Sequence, residues 1–177
     1  MITLVLGGAR SGKSEFAERL AAGSAAGGVG VTYVATAVVA GDSDFDARVL
    51  RHRARRPATW RTDEPGADLV GYLRHEPDPV ATLLIDSLGT WVAAAPGFAV
   101  DAPALCRALA GREGDVIVVS EEVGLGVHPS TAAGSRFRDV LGEVNQAVAA
   151  AAGPVYLVVA GRPMLLPASY ETPLGST

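Results

Sequence analysis

A chain of 177 residues with 49% hydrophobic and 19% charged residues is large enough for one self-sufficient core and has the wrong composition for a disordered segment. Its net charge of −4 argues against a general polyanion binder, and its single cysteine, Cys106, excludes an internal disulfide, with no Cys/His cluster at zinc spacing. The opening Met1-Ile-Thr-Leu-Val-Leu lacks the basic flank and length of a signal peptide, and Asn145, Gln146, Gly153 and Pro154 interrupt the longest apolar region, so a soluble cytoplasmic domain without a membrane anchor is expected.

Along the chain, short apolar runs alternate with amphipathic stretches. Residues 2–6 predict a strand, 13–22 a helix, 31–35 a strand, 44–55 and 66–75 helices, and 82–85 a strand. A helix is then predicted over 102–110, a strand over 116–120, a helix over 133–152 and a strand over 155–160. The strands are runs of Val, Ile and Leu without polar alternation, the pattern of strands buried on both faces of a parallel sheet. The last helix is the clearest, with Phe137, Val140, Leu141, Val144 and Val148 at helical spacing. This order predicts βαβ crossovers and a doubly wound α/β fold. One domain spans residues 1–166, and the Pro- and Ser-containing tail 167–177 has little to bury and is expected to be poorly ordered.

Directly after the first strand stands Gly7-Gly8-Ala9-Arg10-Ser11-Gly12-Lys13-Ser14, which satisfies G-x-x-x-x-G-K-[ST]. Glycines let such a loop curl its backbone N–H groups around phosphate oxygens, and the following helix presents its positive end to the same anion. Lys13 then reaches the β- and γ-phosphates and Ser14 ligates Mg2+. Lys13 is also the only lysine beside fourteen arginines, which points to a requirement for ammonium geometry. A second Mg2+ anchor is expected at the end of another buried strand. Asp86 is favoured, with Glu121 and Glu122 competing.

Arg48, Arg51, Arg53, Arg55, Arg56 and Arg61 crowd one segment around His52. A solvated helix face balanced by Asp42, Asp44 and Asp46 is one reading, and a nucleic-acid patch is disfavoured by the acidic net charge and by Trp60 being the lone nearby aromatic. The third reading is a segment that stabilises charge on a transferred phosphoryl group. In that field His52 favours its neutral form, a competent nucleophile toward phosphorus, with a surface histidine as the alternative. His75 reads as surface, and composition does not separate His128 from His52 as a ligand contact.

These blocks together carry a resemblance. GGARSGKS at residues 7–14, YVATA at 33–37, the run 47–57 with Trp60-Arg61-Thr62, SEEVGLGVHP at 120–129, and Arg136-Phe-Arg138 with Asn145-Gln146 resemble the bifunctional adenosylcobinamide kinase/adenosylcobinamide-phosphate guanylyltransferase family, in family order over residues 2 to 162. The resemblance implies a RecA-like P-loop fold and two reactions late in cobalamin biosynthesis. ATP or GTP phosphorylates the aminopropanol hydroxyl of adenosylcobinamide, and GMP from GTP is then carried on a histidine to the cobinamide phosphate. The guanylylated histidine falls on His52. Nucleotide contacts fall on the P-loop, on Ala35, Thr36 and Ala37, on Arg53, Ala54, Arg55 and Arg56, on Glu64 and on Asp86. The resemblance also implies a homotrimer acting on nucleotides and a small-molecule corrinoid. Some members carry two adjacent histidines where this chain has Arg51-His52, and others carry Asn where it has Glu121. A plain P-loop small-molecule kinase without guanylyl transfer is the alternative reading. A nucleotide-driven switch or nucleic-acid motor is the other.

Overall fold

The computed structural model describes residues 1–25, 28–37 and 56–168. In chain order these form β1 (Ile2–Gly7), α1 (Lys13–Ser24), β2 (Val31–Ala35), β3 (Arg61–Asp63), α2 (Leu69–His75), β4 (Thr82–Asp86), α3 (Leu88–Ala94), α4 (Ala102–Ala110), β5 (Val116–Glu121), α5 (Ala132–Ala151), β6 (Val155–Val159) and β7 (Arg162–Leu166). One sheet takes the strands in the order β3-β2-β4-β5-β1-β6-β7, parallel throughout except for the antiparallel β6–β7 hairpin.

The apolar strands are buried on both faces, and the alternation of side chains divides them between two cores. Leu4, Leu83, Ile85, Val116 and Val118 face Leu69, Leu88, Trp91, Leu105, Leu141 and Val144 from α2 to α5. Val5, Tyr33, Leu84, Ile117 and Val119 face Ala17 and Ala21 of α1. Each fully buried Leu or Val contributes about 1.5–3 kcal/mol of transfer free energy. Small alanines on α1 let that helix lie close to the sheet, which sets the loop preceding it firmly over the strand ends.

The predicted strands and most predicted helices are present to within a few residues. The helix expected over 44–55 lies outside the described residues, as do residues 169–177 of the expected tail. Among the described residues, three elements are additional besides a short 3-10 turn at Pro96–Phe98. β3 is a three-residue polar strand, Arg-Thr-Asp, too short to show a period. α3 starts directly after β4, and β7 pairs with β6. The expectation that the run at 155–160 is buried on both faces is corrected: in β6 only Val158 is buried, and β7 is mostly exposed, because this hairpin forms the edge of the sheet.

Candidate nucleotide-binding site

The loop between β1 and α1 sits at the carboxyl end of the sheet, where α/β folds bind their ligands. Its terminal glycines are demanded by geometry. A Cβ on Gly7 would meet Ser11 Oγ and, at 2.9 Å, the Val158 carbonyl. Gly12 has φ 92° and ψ 7°, the left-handed region that favours glycine, and a Cβ there would stand 3.1 Å from Gly161 Cα. The β6–β7 turn holds the loop from outside, with the Gly161 N–H donating to the Ser11 carbonyl at 2.8 Å. No side chain caps the N-terminus of α1, so its first N–H groups suit an anion lying in the loop.

Lys13 is 9% exposed despite its charge. Its ammonium lies 3.5 Å from Glu121 Oε1 and 3.4 Å from the Gly8 carbonyl. Glu121 ends β5, directly beside Gly7 in the parallel register. Its carboxylate also accepts from the Ser87 hydroxyl at 2.9 and 3.0 Å and from the Gly89 N–H at 3.0 Å, and Gly89 leaves no room for a Cβ beside Oε2. From α5, Asn145 donates to the Glu121 carbonyl at 3.0 Å and accepts from Ser120 Oγ at 2.6 Å. Lysine, carboxylate and the start of α3 are thus tied into one assembly.

Asp86 closes β4 one strand further out and accepts a 2.6 Å hydrogen bond from the Tyr33 hydroxyl. The Arg56 guanidinium stacks over the Tyr33 ring, 3.3 Å from its centroid. Burial, reinforced by the neighbouring Asp86 charge and opposed by Arg56, pushes the Tyr33 phenol far above its ordinary range, so it donates to Asp86 at any physiological pH. The Asp86–Ser87 peptide is cis. The hydroxyl of Ser14, in the first turn of α1, and the Asp86 carboxylate are hard oxygen donors on elements that pack together, a set that fits Mg2+, which keeps several waters and takes few protein ligands.

The other expected contacts separate. Thr36 is fully buried, and its hydroxyl lies 2.6 Å from the Ser87 carbonyl and from Thr90 Oγ1, so it braces the strand ends from within. Ala35 and Ala37 on either side are partly exposed. Arg56 and Glu64 line a cleft of about 400 Å3 with Pro57, Ala58, Trp60 and Thr62 beside the edge strand β3. Glu122 turns into its own loop, accepting from the Gly124 and Leu125 N–H groups at 2.9 to 3.0 Å, whereas Glu121 faces Lys13. His75 and His128 are exposed. His52, Arg53, Ala54 and Arg55, with Arg48 and Arg51, lie outside the described residues. Sequence reasoning missed Ser87 and Gly89 as the holders of Glu121; the available signal was a Ser-x-x-Thr capping pattern immediately after a strand-end Asp.

A family model described as cobinamide kinase / cobinamide phosphate guanyltransferase matches residues 3–166. The chain is 44% identical to the bifunctional adenosylcobalamin biosynthesis protein CobP of Pseudomonas aeruginosa, over 94% of this chain and 97% of that protein. It is 35% identical to the bifunctional adenosylcobalamin biosynthesis protein CobU of Escherichia coli, over 91% and 97% respectively. Among solved structures, a prototypical ATPase of the type III secretion system of pathogenic bacteria superposes at a TM-score of 0.50 with 11% identity, over 88% of this chain and 50% of the other, a likeness of fold alone. The flagellar accessory protein FlaH of Methanocaldococcus jannaschii superposes at a TM-score of 0.48 with 19% identity, over 88% and 70%. The mostly parallel sheet, its glycine loop and the likeness to the type III secretion ATPase are those of a RecA-like P-loop fold.

Proposed function

Since the chain belongs to the cobinamide kinase / cobinamide phosphate guanyltransferase family, it is a bifunctional enzyme of adenosylcobalamin biosynthesis, and we propose that both of its reactions use the one phosphate cradle built around Lys13. Both reactions displace at phosphorus in a bound triphosphate, one at the γ- and one at the α-position. A fixed cationic cradle therefore serves both, provided the attacking group changes. The observation that carries this reading is the placement of the chain's single lysine. It is buried at the start of α1, beside a carboxylate held by the cap and first turn of α3.

In the kinase step, ATP or GTP lies with its phosphates against the loop N–H groups, Lys13 and the start of α1. The adenosylcobinamide hydroxyl attacks the γ-phosphorus, and the nucleoside diphosphate leaves. In the guanylyl step a ring nitrogen of His52 attacks the α-phosphorus of GTP, a P–N bond forms, and the P–O bond to pyrophosphate breaks. A phosphate oxygen of adenosylcobinamide phosphate then takes the GMP group, giving adenosylcobinamide-GDP and restoring the histidine. Mg2+ held by Ser14 and Asp86 would supply charge neutralisation at the phosphates. Ala35, Ala37, Arg53, Ala54, Arg55, Arg56 and Glu64 complete the nucleotide contacts, with the Thr36 hydroxyl tying the strand end that carries Ala35 and Ala37 to Ser87 and Thr90. A cytoplasmic homotrimer is part of the same proposal. The absence of any helix among the described residues long and apolar enough to cross a membrane is compatible with it.

The test is the intact mass of the purified protein after incubation with GTP and Mg2+, beside a His52→Ala control. A GMP-sized adduct is expected in the wild type alone, lost on adding cobinamide phosphate. Kinase activity is expected to survive in the variant. Equal loss of both activities in a folded His52→Ala protein would defeat the two-step scheme.

A further inference from the structure

The loop between β5 and α5 leaves the sheet at the phosphate site and exposes two large apolar side chains, Leu125 and Val127, a few residues beyond its root. Its root is part of that site. Glu121 pairs with Lys13, and the Glu122 N–H donates to the Gly7 carbonyl at 3.1 Å. Beyond the root, the polar contacts of Glu122 and His128 stay within the loop, so they do not tie Leu125 and Val127 to the body of the protein. The Glu122 carboxylate accepts from Gly124 and Leu125, and His128 Nδ1 lies 2.9 Å from the Pro129 carbonyl. What remains outward is Leu125, 82% exposed, and Val127, 97% exposed.

Of the other exposed large apolar side chains among the described residues, Met1, Val29 and Val80 lie before β1, β2 and β4 at the opposite end of the sheet, Met164 and Leu165 lie along the edge strand β7, and Val159, 56% exposed, ends β6 beside the turn that holds the phosphate loop. Gly126, between the two outward side chains, and Gly8, in the phosphate loop, each have open space where a Cβ would stand. A broad, flat ligand thus meets little steric resistance at these two backbones.

The reaction requires an acceptor that is large, partly apolar and tethered to a small phosphoryl-accepting end. We propose that the loop carrying Leu125 and Val127 is the platform for the corrinoid substrate. The apolar edge of the macrocycle lies on these two side chains, and its aminopropanol arm extends along the loop root toward Glu121 and Lys13. The platform rests on the function proposed above and adds the acceptor's place to it. Covering two nearly fully exposed aliphatic side chains removes apolar area from water in the complex only, so it strengthens corrinoid binding without touching nucleotide binding. It also gives a reason for leaving Leu and Val bare beside a polar site, a local inconsistency that a purely structural loop would not need.

The experiment compares cobinamide binding, followed by its own visible absorption, in the wild type, in a Leu125→Ser/Val127→Ser variant and in a Met164→Ser/Leu165→Ser variant. The first variant is expected to weaken cobinamide binding by roughly ten-fold or more, the equivalent of losing one buried aliphatic side chain. Its nucleotide affinity and its mass in solution are expected to be unchanged, and the hairpin variant is expected to bind cobinamide as the wild type does. Unaltered cobinamide affinity in the loop variant, or an equal loss in the hairpin variant, would overturn the assignment. A change in the loop variant's mass in solution would instead make this loop a contact between copies. Failure of the wild type itself to bind cobinamide would sink the functional reading, and the platform with it.

Discussion

Lys13 and Glu121 stand 3.5 Å apart where the phosphate loop meets the end of β5, in a chain whose other basic residues are all arginine. Arginine would bring a planar fork too large for a position only 9% exposed, so Lys13→Arg is expected to be nearly as damaging as Lys13→Ala. Both are expected to lower kcat/KM for both reactions by roughly a hundred-fold or more, the scale at which one preorganised donor to a developing charge acts. Wild-type rates for Lys13→Arg would refute the ammonium argument. Tyr33 makes a separate, pH-dependent prediction. Its phenol is held protonated by burial and by Asp86, so its folded pKa is raised above the ordinary value near 10. A raised pKa means that its contribution to stability is complete below about pH 10. Above that pH the unfolded chain releases a proton that the folded chain keeps, and stability falls by up to about 1.4 kcal/mol per pH unit from this group. Urea unfolding between pH 9 and 11.5 should show a shallower decline for Tyr33→Phe than for the wild type. Parallel declines would show that Tyr33 is not the group responsible.

At the scale of elements, α3 turns strand-end residues into a site. Ser87 caps the helix, with Thr90 completing the reciprocal capping pair, while the Ser87 hydroxyl also reaches Glu121. Thr36 sits beneath, accepting from the Ser87 N–H at 3.0 Å. Replacing Thr36 with the isosteric Val leaves buried partners of this network unsatisfied and should cost about 2–3 kcal/mol in chemical denaturation. A loss below a few tenths would mean that the network relaxes around the change. This cap also marks the limit of what periodicity shows. β1, β4 and β5 were legible because strands buried on both faces are continuous aliphatic runs, and α5 because twenty residues give its stripe time to repeat. β3, with three polar residues, and α3, with seven residues mostly buried all round, are too short for either period to develop. β7 begins Arg-Pro and reads as a turn; pairing with β6 on the edge, where proline costs no ladder bond, makes it a strand.

Across the whole molecule, the two ends of the sheet divide their labour, and the sequence announces them unequally. The phosphate loop is a contiguous motif whose spacing states its own chemistry, and Asp86 is proposed as a magnesium anchor from its place at a strand end. The pairing of Lys13 with Glu121 instead depends on which strand lies next to β1, a matter of topology that no local pattern encodes. The opposite end holds a second charge cluster of the same distributed kind. Glu76, with a side chain 0% exposed, binds Arg112 at 2.6 Å and Arg61 at 2.5 Å, and Arg112 also donates to the carbonyls of Asp78 and Ala81. These residues lie at the start of β3, after α2 and before β4 and β5, so they clamp the chain's entries into the sheet. Removing one partner from such a buried cluster strands the remaining charge and typically costs 3–5 kcal/mol, whereas replacing both partners by apolar groups costs far less. Glu76→Leu is therefore expected to lose about 3–5 kcal/mol of stability, and Glu76→Leu/Arg112→Leu is expected to recover much of it. Neither should change KM for nucleotide per folded molecule, because the cluster sits across the sheet from Lys13. A double variant as unstable as the single one would show that the arginine's carbonyl contacts, and not the ion pair, hold this end together. A raised nucleotide KM would show that the two ends are mechanically coupled.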